Sequence, residues 1–508
     1  MILKITILDP AFREWLLKER ENRLLLWLAA MIMLISFTWL KIIYPYPNFM
    51  PPDSYNYIKA AADNDFISIW PIGYSKFLRL VSVFSRSHFV LVVLQYLLLQ
   101  ISILHFLFTI RYLFLPGTWI FRTLFIASIA NPLLPHIANF VSSDCLFTAL
   151  SVTWLTQIIW ILYRPTQQLM FLHAIIVLLV FTVRFNAIYY PFFSTAVIAT
   201  RSISINTKWL AISCIIFLLS LFIGRTAYEY KIKTVSVQYS AFGGWLVAAN
   251  ALYGYAHARP DDINTIPAKF RELHKIVNHH LDSLKNERIR PDDEPGIYYF
   301  WNFKSPLRVY MRQNSKNATF FRNWAAVAPL YASYGLYLIR KHPRHFIENY
   351  VWPNLLRYYV PPAKFMGFYN QGKMKIDSVA VKWFDWNNNK LPTRAQDREI
   401  HIVGLFPAII AINNSLFLLG GVLFLAFGCF RKCNYITKRI FILMVSCWFC
   451  NLLMSITSAP IEMRYQLFPF VFTLSFSVFF IVWILQSLTY TSYNKQEQQY
   501  NYLNQANV

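Results

Sequence analysis

The sequence predicts an all-α polytopic membrane protein, with about ten transmembrane helices, interfacial helices and a large, mainly helical outer segment. Composition is the first reason. Of 508 residues, 56% are hydrophobic and only 14% are charged, whereas a soluble domain carries about 25% charged residues. The second is the aromatic content of 18%, which suits helices in lipid with aromatic belts at both interfaces. The third is the recurrence of long apolar runs separated by basic connections.

A span needs about 20 apolar residues. The candidates are 24–43, 88–110, 118–135, 141–162, 168–184, 186–200, 208–224, 404–428, 439–457 and 466–488. The first is followed by Tyr44-Pro45-Tyr46-Pro47 and no small-residue cleavage site, so it reads as an anchor and not a signal peptide. The fifth and sixth are short and could instead form a re-entrant pair. Arg122 in the third must reach back to the interface.

Lys and Arg in the short loops give the orientation. The tail 1–23 carries Lys4, Arg13, Lys18, Arg20 and Arg23, and is expected in the cytoplasm. The inner loops then hold Arg111, Arg164, Arg201 with Lys208, and Arg431, Lys432, Lys438 with Arg439, while the outer turn 132–140 holds none. Residues 70–87 read as an interfacial amphipathic helix. The module 24–224 is followed by a large extracytoplasmic segment, 225–402. It holds 26 of the 48 basic and 14 of the 24 acidic residues. A connection of this length is usually functional. Within it, 267–287 reads as a helix and 323–360 as a helix lying on a membrane surface. The spans of 403–490 and a polar, disordered tail, 491–508, complete the chain. Asn317-Ala318-Thr319 is a glycosylation sequon too short to carry weight. These features make the chain a multi-pass integral membrane protein, expected in a bacterial cytoplasmic (inner) membrane.

Several functions are excluded. The net charge of +24 lies between apolar spans, so it orients a membrane protein and does not bind nucleic acid. Walker, GxGxxG and GxSxG patterns are absent, which argues against ATP-driven transport and serine hydrolysis. The histidines show no metal spacing. Cys447 and Cys450 form a CxxC inside an apolar run, with no second ligand pair, and read as neighbours on one helix.

Ionisable residues at membrane depth are costly and therefore functional candidates. Asp53 follows the first span and Asp144 begins the fourth. Arg184 lies between the fifth and sixth, and Glu462 and Arg464 precede the last. The charge-based topology puts all of them on the outer face. A carboxylate there can act as general base toward an acceptor hydroxyl or amine. Arg184 and Arg464 can hold a lipid-linked phosphate, with Lys76 adding a point charge. The bland alternatives are a helix-capping role for Asp144 or Asp53 and headgroup anchoring for the arginines.

These residues resemble a family. Asp53-Ser54-Tyr55-Asn56-Tyr57 resembles the acid-plus-Tyr motif in the first outer loop of the GT-C glycosyltransferases, which include protein O-mannosyltransferases and the lipid A aminoarabinose transferase. Trp70-Pro71-Ile72-Gly73-Tyr74 resembles the proline-rich stretch of that loop. Asn131-Pro132-Leu133-Leu134-Pro135 with Ser143-Asp144, Arg184-Phe185-Asn186, and Arg464-Tyr465 resemble further landmarks. The resemblance implies inverting transfer of a sugar from a polyprenyl-phosphate donor to a lipid, glycan or protein acceptor outside the cell. Asp53 and Asp144 would be the catalytic acids. Tyr55, Tyr57, Lys76, Arg184, Glu462, Arg464 and Tyr465 would contact substrate. The family's acidic pair is Asp-Glu and here it is Asp-Ser, which leaves a divalent metal open. Two other functions stay open: a polymerase or ligase using a polyprenyl diphosphate, and a non-catalytic transporter of lipid-linked sugars.

Overall fold

The computed structural model describes residues 12–114, 117–234, 236–286, 298–314 and 319–485. Lys4, Asn317 and Ala318 of the sequon, and the tail 491–508 lie outside the described residues. Among those described, helices dominate and β-structure is limited to isolated bridges. Among the described residues, eight helices are long and apolar enough to cross a membrane: Arg20–Ile43, His88–Phe114, Thr118–Ala138, Ser143–Tyr163, Ile205–Thr234, His401–Ala426, Tyr435–Ser458 and Leu467–Leu485. The chain is an all-α, multi-pass membrane protein.

The difference from ten lies in the fifth and sixth expected spans. Gln167–Val183 has 17 residues, at the short limit for a bilayer-crossing helix, and Tyr190–Ala199 has 10, too few to cross. Between them Arg184 turns extended and Phe185–Tyr189 forms one 3₁₀ turn. The break brings charged and polar residues to the end of the bundle and uses up the length that two full spans need. A second boundary also moves. Ile205–Thr234 continues past residue 224 as one helix, its polar end supported by an Arg225–Glu229 pair at 2.6 Å.

Several polar groups within the bundle find partners inside it, as a lipid surround favours. Trp154 stacks on Tyr190 at 3.9 Å, and its indole N–H donates to Ser194 Oγ at 3.0 Å. His173 lies between the same Ser194 (2.8 Å) and Gln157 (3.1 Å). At the opposite end of the first span from Asp53, Glu21 pairs with Arg111 at 2.5 Å and with Arg122 at 3.2 Å, so Arg122 has a protein partner. All six cysteines are free, Cys447 buried and Cys450 half-buried.

Residues 323–360 form no single membrane-surface helix. Phe320–Lys341 buries Trp324, Ala328, Tyr331 and Gly335 against Ala241–Tyr255. Small residues permit that approach: a Cβ on Gly244 would meet the Ala328 carbonyl at 2.1 Å. Trp245 and Trp324 stack across the pair at 3.8 Å. Trp324, Tyr331, Tyr334, Tyr350 and Tyr358, which suggested an interface, are buried in the core, while Trp352 is 56% exposed beside an exposed Leu356. The expected helix at 267–287 is Arg271–Asn286. Gly73–Phe84 is a helix inside 70–87, with Leu80, Val83 and Phe84 exposed on its apolar side.

Candidate active site

Asp53 opens the short helix Asp53–Ala62. The loop before it is stitched to the loop before Ser143–Tyr163. Asn48 donates its N–H to the Asn139 carbonyl (2.7 Å) and accepts from Val141 N–H (2.9 Å). The segment after residue 360 adds a third strand of contacts, since Asn370 N–H donates to Asn48 Oδ1 at 2.5 Å. Backbone groups at membrane depth need such partners, and meeting that need sets Asp53 beside Asp144. Ser54 accepts from Met50 N–H at 2.8 Å and is fully buried. Its hydroxyl is therefore spent on the loop.

Asp144 stands in the first turn of Ser143–Tyr163, where the helix dipole favours a carboxylate. Ser142 Oγ donates to Asp144 Oδ2 at 2.9 Å, and Tyr57 shares a 3.1 Å hydrogen bond with Ser143. Arg184 is the extended residue ending Gln167–Val183 and donates to Asp144 Oδ1. Its guanidinium lies 4.5 Å from the Tyr465 ring centre and 5.5 Å from that of Phe147. Gly73 supports this position, because a Cβ there would come within 2.7 Å of the Thr182 backbone.

Arg464 lies in the 3₁₀ turn Met463–Tyr465, between the last two spans. It is almost buried and makes four polar contacts. Nη1 is 3.3 Å from Asp53 Oδ2 and 3.5 Å from Asp144 Oδ2. Nε donates to Glu462 Oε2 at 2.8 Å and Nη2 to the Tyr465 hydroxyl at 2.9 Å. Five sequence segments thus converge at one end of the bundle. Three carboxylates face two guanidiniums, so the cluster is one negative charge from balance. Lys364 makes up the difference from the 225–402 segment. It interacts with Glu462, and Met463 N–H donates to the Pro362 carbonyl at 3.1 Å to hold the two segments together. Lys364 also has φ of 37°, a left-handed backbone uncommon outside glycine.

Burial pushes the Asp53 carboxyl above the ordinary carboxylate range, and the attraction of Arg464 only partly offsets it. Burial likewise raises the Tyr57 and Tyr465 hydroxyls, so both are neutral hydrogen-bonding groups.

A cavity of about 320 Å³ opens onto this cluster. Its polar end is formed by Asp53, Tyr57, Ser142, Ser143, Asp144, Arg184, Arg464 and Tyr465. Its remaining wall is mainly apolar, with Trp70, Phe181, Phe185, Phe242, Leu246 and Met454, interrupted by Asn186, Ser240, Ser455 and Ser458. Ile188, also on the wall, is 48% exposed in the break between the two short helices.

Three expected contacts fall elsewhere. Glu462 sits behind Arg464 and does not line the cavity. Lys76 donates to Asn64 Oδ1 at 2.9 Å and lies over the Phe66 ring, away from the cavity. Tyr55 stacks on Phe49 at 5.7 Å, and its hydroxyl bonds the Asp377 backbone. Residues 54 to 57 form a helix, so positions 55 and 57 cannot face the same side. The sequence reading missed Ser142, Phe181, Tyr239, Phe242 and Lys364. Ser142 had a local signal, being the extended residue before an acid-bearing helix start. The others come from packing between remote segments.

No group of three or more His, Cys, Asp or Glu side chains placed to hold a metal ion occurs among the described residues. Arg464 occupies the space between Asp53 and Asp144, where a bridging cation would sit. The residues present therefore do not fit a metal ion. No protein-family model matches the chain, and no curated protein or solved structure is significantly similar to it.

Proposed function

We propose that the chain is an inverting GT-C-like glycosyltransferase, moving a sugar from a polyprenyl-phosphate donor to an acceptor on the extracytoplasmic face. One observation carries the reading: a partly buried Asp53 with a raised carboxyl and two guanidiniums share the polar end of a cavity whose other wall is mainly apolar and includes the half-exposed Ile188. An amphiphile with a phosphate next to a long hydrocarbon chain matches that division.

In this reading the prenyl chain lies along Phe181, Phe185 and Ile188, and the phosphate faces Arg184 and Arg464. Asp53 accepts the proton of the acceptor hydroxyl or amine. The freed oxygen or nitrogen attacks the anomeric carbon from the face opposite the phosphate, the bond to the phosphate oxygen breaks, and the configuration inverts. The guanidiniums stabilise the leaving phosphate. A raised carboxyl pKa makes Asp53 a stronger base. Asp144 is paired to both arginines, so its role is to position them, and Glu462 supports Arg464 from behind. Lys364 neutralises Glu462.

The test is mass spectrometry of outer-surface glycolipids and glycoproteins from cells with and without the gene. A modification that disappears on deletion and returns with the wild-type chain supports the reading and names sugar and acceptor. Identical glycan profiles in both cells overturn it.

A further inference from the structure

A second cavity, of about 670 Å³, shares no lining residue with the first. One wall is the last part of the first span: Ile35, Trp39 and Ile43. Ile35 and Trp39 are 67% and 66% exposed, so they face lipid. From Ile35 to Ile43 this wall runs about 12 Å along the helix axis, from membrane depth to the span's end. The other wall closes the top with Arg394, Asp397, Glu399 and His401.

The chemistry changes along that length. The lower part offers hydrocarbon and an indole, with Ser36 its one polar side chain. The upper part offers two carboxylates and a guanidinium. Asp397 and Glu399 lie 3.5 and 3.6 Å from the two ring nitrogens of His401, too far for strong pairing, and all three side chains are at least half exposed. Arg394 makes no ion pair among the described residues, while its backbone N–H is fixed to the Ile43 carbonyl at 3.0 Å. The His136 imidazole also lines the cavity, and its ring makes no hydrogen bond among the described residues. Its neighbour is the Tyr44 ring at 5.8 Å.

We infer that this cavity binds a zwitterionic phospholipid with an amine headgroup, its chains along Ile35 and Trp39, its ammonium at Asp397 and Glu399 and its phosphate at Arg394. The charge pattern selects the occupant. An ammonium brings three donors to two carboxylates, and a phosphate matches a free guanidinium. An anionic headgroup without an amine would meet two carboxylates and a single Arg. The site is independent of the sugar-transfer reading and does not need it.

The test uses the full-length protein in detergent with equimolar phosphatidylethanolamine and phosphatidylglycerol of identical chains. Lipid retained after gel filtration is quantified by mass spectrometry. Phosphatidylethanolamine is expected to be enriched about tenfold, and the enrichment should vanish in Asp397→Asn/Glu399→Gln, whose exposed positions tolerate the change. Equal retention of both lipids, or enrichment that survives the double substitution, overturns the inference. A photoreactive phosphatidylethanolamine tests the wild-type chain alone. Labelling within residues 35–43 or 394–401 supports the site, and labelling only elsewhere overturns it.

Discussion

Arg464 Nη1 lies 3.3 Å from the Asp53 carboxylate, across 411 positions of sequence. The same nitrogen faces Asp144, and the other guanidinium nitrogens hold Glu462 and Tyr465. One side chain therefore joins the loop after the first span to the loop before the last.

That makes Arg464 the residue whose loss should cost most in folding. Arg464→Gln leaves three carboxylates with Arg184 and Lys364, and removing one partner of a buried charge group costs about 3–5 kcal/mol. Thermal unfolding in detergent should show a large drop for Arg464→Gln. Arg464→Lys should fall between it and wild type, because an ammonium keeps the charge and loses the planar fork. Wild-type stability in Arg464→Gln would contradict the arrangement.

The raised Asp53 pKa has a defined sign in stability. The folded state holds the Asp53 proton more tightly than the unfolded chain, whose carboxyl titrates at about 3.9. The contribution of Asp53 is therefore most favourable below that value and declines as pH rises through the raised folded pKa. Asp53→Asn should gain stability relative to wild type at neutral pH, with the difference shrinking on acidification. Chemical denaturation at several pH values measures it. A difference that grows on acidification would contradict the raised pKa.

Gly73 tests how the site is held. Gly73→Ala places a methyl group against the Thr182 backbone, two residues from Arg184. Overpacking of this kind costs about 1–3 kcal/mol. A lower unfolding temperature and weaker donor binding are expected together, and a neutral effect on both would show that the contact is not needed.

Much of the fold was readable because lipid imposes it. Long apolar runs had to become helices, and loop charge alone grouped Asp53, Asp144, Arg184 and Arg464 at one end. The structure brings those four into one cluster. Other features had no local signal. The chain between Gln167 and Ala199 is apolar enough to read as two spans, and only the extended Arg184 and the following 3₁₀ turn shorten it. Lys76 looked like a phosphate ligand because its loop also carries Asp53, but the helix Gly73–Phe84 directs it to Asn64. Lys364 was hidden in a basic segment of 26 Lys and Arg residues. Its place beside Glu462 comes from the Met463–Pro362 backbone hydrogen bond. The Trp- and Tyr-rich 323–360 stretch suggested an interface because aromatics with cations suit both a membrane surface and a packed helix pair. The small residues Gly244 and Gly335 decide for the pair over Phe320–Lys341, while Trp352 and Leu356 stay exposed.

The role of Asp53 as acceptor base is measured by the transfer rate of Asp53→Asn against wild type, with purified chains and the donor and acceptor named by the glycan comparison. A loss of about 10²–10⁴-fold is expected, with an unfolding temperature no lower than wild type at neutral pH. A wild-type rate in Asp53→Asn would contradict it.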